Sequence, residues 1–513
     1  MGRKSRNHKL CFSIKYFISV SIVFLIVFSN FFVSGSSIAE SKFGYRDKSN
    51  LLVQSDDLWH DGRFQGKWGT TKELSDGLIW GDLDLKRTSS IGHFYGEFRE
   101  FGANSSGTMN GVFINGILMG NIENGQENSK NRFIGLIRTN ETGFNGVVFG
   151  LKLSFVFVQG DYESSFLPPL TGDYGVGVKS LYLIDENRLE EFTQDVADDF
   201  REMMIQIWYP IDKEILEPRI DYMDAPTFAW LKGRSPVPLF TIPDNGYSFV
   251  RPHARFEPPI SNANVMYPVI IFSPGYDGVY QIYTSFIEDM VSNGYIVVSI
   301  NHPYVSGITV FPDGREIYVS DIPPAELSLN SVVDDAKFVL DNIFEMNNSE
   351  NFFKGRFDLS KVGMYGHSFG GASTSICCYQ DERFLCGLTL DGVFYLDYIP
   401  EKLEKPFLLM IAENRFNNEN VQDMWNTLDG DAYKVEIGGS THYAYTDVGV
   451  LLKHLLPLVP PVLLGFGTIE PKLQVNITRM ITKMFFDVYL RGEEVEDLIT
   501  FLSSIDEVNF EYK

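Results

Sequence analysis

From Pro268 to Gly439 the chain repeats one pattern, a short apolar run followed by a longer amphipathic stretch. The runs are PVIIFSP (268–274), YIVVSIN (295–301), KVGMYGHS (361–368), CGLTLDG (386–392), PFLLMIAEN (406–414) and YKVEIGG (433–439). They are apolar on consecutive rather than alternate residues, which is how a strand reads when both its faces are buried. The stretches between them predict helices near 281–293, 330–346, 369–380 and 419–428, and another near 472–490 follows the last run. Strands joined through helices run parallel, with helices covering both faces of the sheet. The fold class is therefore α/β with a mostly parallel sheet. Two earlier strand-like runs, 178–185 and 202–211, lead into it.

The preceding region follows different rules. Between about residues 55 and 160, units of glycine, an aromatic or aliphatic residue and glycine recur: GRFQGKW, GLIWGDL, GHFYGEF, GVFINGILMG, NRFIGLI and GVVFGLKL. Alternation within the units is a strand period, and polar turns separate the later ones. A glycine-rich antiparallel all-β domain of roughly six strands, a meander, small barrel or sandwich, is expected over 50–165. Tyr162 to Tyr174, with its Pro pair, reads as a linker, and 173–513 as a second domain. Residues 212–260, rich in Pro and aromatics, read as an insert covering that domain's cleft.

Composition narrows the partners. With 67 acidic and 43 basic residues the formal net charge is −24, so a basic footprint for nucleic acid is missing. Cys377, Cys378 and Cys386 are an odd set with no zinc spacing, and read as small buried hydrophobes; Cys11 lies apart. No metal or organic cofactor is expected. Arg3, Lys4, Arg6 and Lys9 precede a long uncharged apolar stretch, so residues 1–39 read as a signal peptide or a single N-terminal membrane anchor. Either places the remainder outside the cytoplasm. Asn104, Asn140, Asn347 and Asn476 head glycosylation sequons.

The most informative run is KVGMYGHSFGGAS (361–373). A strand ends at Tyr365, Gly366-His367-Ser368-Phe369-Gly370 is a G-x-S-x-G, and small residues open a helix. Glycines flanking the serine remove side chains that would clash in so tight a turn. A serine hydroxyl is a weak nucleophile and needs a base. Downstream of Ser368 only His442 and His454 remain. His442 lies in GGSTHYAYTD, a polar loop directly after an apolar strand, whereas His454 lies in an apolar helical stretch; His442 is the candidate base. For the acid that orients it, Asp391 and Glu413 each end an apolar strand and Asp423 follows on a helix; Asp391 leads and Glu413 stays in contention. Oxyanion donors would be the backbone N–H groups of Phe369, just after the serine, and of Tyr276, after the Pro274-Gly275 turn.

From about Asp173 onward these pieces resemble the plasma-type platelet-activating factor acetylhydrolases. The matching segments are TGDYGVGVKSLYLID, MIQIWYP, IIFSPGYDGVYQIYTSFIEDMVSNGYIVVSINHPY, VGMYGHSFGGAS, LTLDGVFY and GSTHYAYTD. The resemblance implies the α/β-hydrolase fold and calcium-independent cleavage of short or oxidised acyl groups from phospholipids. It also places the acid in the L-D segment, at Asp391, which demotes Glu413. Two departures stand out: Pro274-Gly275 replaces a His-Gly pair, and NHPY (301–304) replaces an H-R-D type of segment. The expected function is ester hydrolysis through a Ser-His-Asp triad and an acyl-enzyme, on a small-molecule or lipid ester, with activity falling in acid as His442 takes up a proton. The N-terminal segment would associate the protein with a membrane or cell surface. Two other readings stay open: a surface-, glycan- or lipid-binding protein built on the β domain, and a peptidase on the same fold.

Overall fold

The computed structural model describes residues 62–513, except 71–76, 87, 101–105, 115, 125–128, 140–142, 151–154, 165–166, 194–198, 214–218, 235–249, 251, 262–265, 320–324, 396–397 and 456–459. The basic and apolar N-terminal segment, Cys11, Asn104, Asn140 and part of the 212–260 insert lie outside the described residues.

Eight strands form a closed antiparallel barrel: β1 (Gly62–Gly69), β2 (Gly77–Lys86), β3 (Thr88–Glu100), β4 (Ser106–Ile114), β5 (Ile117–Asn124), β6 (Ser129–Thr139), β7 (Gly143–Gly150) and β8 (Phe155–Ser164). Each pairs with the next, and β8 returns to pair with β1. Two strands exceed the six expected. GVFINGILMG is not one unit but the ends of β4 and β5, folded back at Gly116, whose φ of 86° suits glycine. β8 runs to Ser164, inside the stretch read as a linker.

The recurring glycines have a steric cause. Residues directly opposite on neighbouring strands point to the same face. Phe64 lies opposite Gly81, Phe94 opposite Gly111, Phe98 opposite Gly107 and Phe133 opposite Gly120. A Cβ at Gly81 would sit 2.9 Å from the Phe64 ring, at Gly111 2.8 Å from Phe94, and at Gly107 2.6 Å from Phe98. Each glycine is the socket for a ring across the ladder. Phe94, Ile79 and Val158 are the buried centre of this packing. Alternating small and large residues fill a small barrel in this way.

The second sheet has ten strands in the order β11-β9-β10-β13-β12-β16-β17-β18-β19-β20. They are β9 (Gly175–Leu189), β10 (Phe200–Ile211), β11 (Arg255–Phe256), β12 (Tyr267–Ser273), β13 (Ile296–Asn301), β16 (Phe357–His367), β17 (Phe384–Leu390), β18 (Phe407–Ala412), β19 (Ala432–Ile437) and β20 (Val508–Tyr512); β14 (Ile308–Val310) and β15 (Glu316–Tyr318) pair separately. The six repeating apolar runs are β12, β13 and β16 to β19, mutually parallel. The β9–β10 hairpin extends the sheet antiparallel beyond β13, with β11 parallel to β9 at that edge, and β20 is the antiparallel strand at the other.

Strand side chains alternate between faces, and the core divides accordingly. Ile270 and Phe272 join one apolar cluster with Met290 of the helix Thr284–Ser292 and Ile481 of Pro471–Phe486. Val269 and Ile271 join the other with Leu329, Val332, Val333, Ala336, Val339, Leu340 and Ile343 of Ala325–Asn348, a 3.6-residue stripe. Cys377, Cys378 and Cys386 are buried free thiols. Asn347, a sequon residue, is used structurally: its side chain accepts from Phe357 N (3.1 Å) and donates to Phe357 O (3.2 Å).

Candidate active site

Ser368 stands between the end of β16 and the helix Phe369–Gln380 with φ 54° and ψ −113°. A non-glycine residue there costs on the order of 1–3 kcal/mol, so the surroundings must enforce it. They do. Ser368 N donates to Leu390 O (2.9 Å), and Ser368 O accepts from Ala372 N and Val393 N, both 3.1 Å. A Cβ on Gly366 would lie 2.3 Å from Gly370 O, and one on Gly370 would lie 2.1 Å from Ser273 O. Both glycines are required by contact.

The loop after β12 closes on this turn. Gly278 N donates to Gly275 O and Asp277 N to Val305 O, each 2.9 Å, with Asp277 at φ 59°. A Cβ on Gly275 would lie 3.1 Å from the Ser368 Cβ. The rings of Tyr276 and Phe369, the two residues expected to supply oxyanion donors, meet edge to face at 6.0 Å. Arg234, at the end of the helix Ala225–Arg234, pairs with Asp277, so this part of the insert borders the loop.

His442 opens a 3-10 turn in the loop after β19, its side chain about one-third exposed. Its Nδ1 is 2.5 Å from Asp391 Oδ2. Asp391 lies just beyond β17, fully buried, with φ 45°. Ala412 N donates to its Oδ1 (3.0 Å), and Arg415 Nη1 lies 2.7 Å from Oδ2. Burial alone would raise this carboxyl, but the bond to His442 and the charge of Arg415 outweigh it and hold Asp391 below the ordinary carboxylate range. Glu413 lines the same pocket of about 480 Å³ as Asp391, Arg415, Thr441 and His442, but it is Asp391 that holds the imidazole. Asp423 lies on the helix Glu419–Thr427 and His454 on Val448–Leu455. His367, inside the G-x-S-x-G, has its ring 4.5 Å from that of His442, tilted by 37°.

A second Ser–His–Asp chain escaped the sequence reading. Ser273 Oγ is 3.2 Å from His302 Nε2, and His302 Nδ1 is 2.9 Å from Asp335 Oδ2. All three are buried, at 0–1% exposure. Arg201 grips Asp335 through two nitrogens (3.0 and 2.7 Å) and also meets Glu190 (2.8 Å), while Arg188 adds another contact. Burial pushes the Asp335 carboxyl up, and Arg201, His302 and Arg188 overcome that and hold it far below the usual range. An ester cannot reach a serine so enclosed. This cluster ties the end of β12 to β10, the segment just after β13 and the helix Ala325–Asn348. His302 belongs to the NHPY segment that departs from the family pattern.

Comparison with known proteins agrees with this architecture. The family profile described as platelet-activating factor acetylhydrolase, isoform II, matches residues 160–313 and 326–497. A platelet-activating factor acetylhydrolase of Canis lupus familiaris is 24% identical over 332 residues, 58% of this chain and 71% of that one. A probable 1-alkyl-2-acetylglycerophosphocholine esterase of Arthroderma benhamiae is 26% identical over 197 residues, 36% of this chain and 50% of its own. Among solved structures, a ferulic acid esterase from Streptomyces cinnamoneus superposes with a TM-score of 0.58 at 27% identity, covering 67% of this chain and 98% of its own. The β12–β20 sheet, its helices and the strained serine turn lie largely within the matched segments, and the chain belongs to the platelet-activating factor acetylhydrolase, isoform II, family.

Proposed function

We propose that this chain is an exported serine carboxylic-ester hydrolase with Ser368 as nucleophile, His442 as general base and Asp391 as the acid that orients it. The carrying observation is the Ser368 turn, held at φ 54°, together with an imidazole whose Nδ1 is fixed 2.5 Å from a buried carboxylate and whose ring lies 4.5 Å from that of His367, the residue before Ser368. With Nδ1–H donated to Asp391, the remaining nitrogen, Nε2, is the basic one. It takes the Ser368 proton as Oγ attacks the ester carbonyl. The N–H groups of Phe369 and Tyr276 receive the oxyanion, and His442 returns the proton to the leaving alkoxide. Water activated by the same imidazole then releases the acid from the acyl-enzyme.

The names of the relatives support a short acyl group on a phospholipid, or another small ester, as substrate. The basic and apolar N-terminus supports export. The helix Ala225–Arg234, bordering the Tyr276 loop, supports the insert as a wall of the acyl site.

The test is hydrolysis of p-nitrophenyl esters from acetate to palmitate by the protein and its Ser368→Ala variant. Fast acetate or butyrate turnover that falls by several orders of magnitude in the variant is expected. Equal turnover by both would remove Ser368 from the mechanism. Faster cleavage of a matched anilide than of the ester would move the reading to a peptidase.

A further inference from the structure

The base and the oxyanion loop lie on separate loops, following β19 and β12. Nothing in the triad chemistry couples them, yet the turn reacts only when both are in place. Their connection runs through two side chains outside the triad. His367 Nε2 lies 3.0 Å from His442 O, Tyr283 Oη lies 2.8 Å from His367 Nδ1, and Gly275 N lies 3.4 Å from Tyr283 Oη. His367 is 3% exposed and Tyr283 is 1% exposed.

The direction of every bond follows from chemistry. The His442 carbonyl can only accept, so His367 Nε2 carries the hydrogen. His367 Nδ1 is then bare in the neutral ring and accepts from the Tyr283 hydroxyl. The Tyr283 oxygen, having donated, takes the Gly275 N–H. The chain therefore runs Gly275 N–H to Tyr283, Tyr283 O–H to His367, and His367 N–H to the His442 backbone. Every donor on it meets an acceptor, and no other tautomer of His367 satisfies both ends.

We propose that His367 and Tyr283 are positioning residues that lock the His442 loop and the Gly275–Tyr276 loop to one another across the Ser368 turn. The inference rests on the ester-hydrolase reading above. Burial, with the neighbouring His442 second, depresses the His367 imidazole to about 3, so the ring keeps this neutral form across the working range. Protonation of Nδ1 would set a donor against the Tyr283 O–H. The ring contacts are built for the same end: Tyr283 packs on Phe272 at 4.9 Å and His367 at 5.5 Å.

The test is Tyr283→Phe in the full chain. It deletes one oxygen and keeps the ring. It is read as kcat and KM on a p-nitrophenyl ester and as affinity for an alkylboronic acid, which mimics the tetrahedral state. Misplacing one oxyanion donor predicts a fall of about 10- to 100-fold in kcat with KM little changed, and a matching loss of boronate affinity. His367→Phe should do the same, and the double variant should be no worse than His367→Phe alone, because both cut one chain. His367→Gln, which can still donate toward the His442 carbonyl, should recover part of the loss. Wild-type kcat and boronate affinity in Tyr283→Phe would overturn the proposal, as would multiplying effects in the double variant. Ser368→Ala run alongside separates the cases: if it keeps full turnover, the hydrolase reading itself has failed.

Discussion

Asp391 serves two side-chain donors at once. Its Oδ2 meets both His442 Nδ1 and Arg415, while its Oδ1 takes the Ala412 N–H. Arg415 helps hold the carboxylate ionised, so removing its charge lets Asp391 take a proton at higher pH. For Arg415→Gln we expect the acid limb of the kcat/KM–pH profile to move upward by roughly half a unit or more, with the alkaline side unchanged. An unmoved profile would show that Arg415 only packs. Gly370→Ala is a harsher change, since its new Cβ would overlap Ser273 O and Pro274 O. It should abolish activity and stop Ser368 from being labelled by a fluorophosphonate. The serine turn was legible because its whole signature lies within ten residues. The acid was less so: from the residues alone Asp391 led Glu413 without excluding it, the resemblance placed the acid at Asp391, and it is Asp391 that lies against His442. Arg415 and Tyr283 carried no local mark, because their partners lie on other strands' loops.

The six parallel strands were read correctly because burial on both faces writes itself into consecutive residues of each strand. The barrel was undercounted for the opposite reason. Its inward positions alternate glycine with a large ring, so half of the interior reads as non-apolar, and the β4–β5 turn hides within what looks like one unit. Strand β20, the outer antiparallel edge, was also missed, because VNFEY is short and alternates apolar residues with two polar ones, Asn509 and Glu511. Ring-into-glycine packing makes a definite prediction. Phe94→Ala removes the buried ring that occupies the Gly111 socket, and should destabilise the barrel by about 3 kcal/mol or more. Limited proteolysis in rising urea would detect cleavage between residues 62 and 164 at lower denaturant than in the parent. An unchanged midpoint would mean that the ring contributes nothing to holding the barrel closed.

At the scale of the whole molecule, two buried acids packed around the ten-stranded sheet contribute to how stability responds to pH. Burial raises Glu288 to about 8 and Asp447 to about 7, although Ala254 N donates to Glu288 Oε1 (2.6 Å) and Ser285 and Tyr222 donate to Asp447. A carboxyl whose folded pKa is raised binds its proton more tightly in the native state. Its contribution is complete below the unfolded value near 4 and is lost as pH rises through 7 to 8. Glu288→Gln cannot ionise, so its melting temperature relative to the parent should rise between pH 5 and pH 9, by several degrees. Parallel curves would show Glu288 already ionised in the fold. The same sheet places Ser273 and Ser368 at the ends of the neighbouring strands β12 and β16; Ser273 is bonded to His302 and through it to Asp335, and Ser368 is the nucleophile proposed to work with His442 and Asp391. A template search that knew only atom types and distances would pick the buried set first, because its links are the complete ones. On the proposed mechanism, what distinguishes a tool from a fastener is reach: Ser368 stands on a strained turn and is partly exposed, whereas Ser273 is sealed inside the fold.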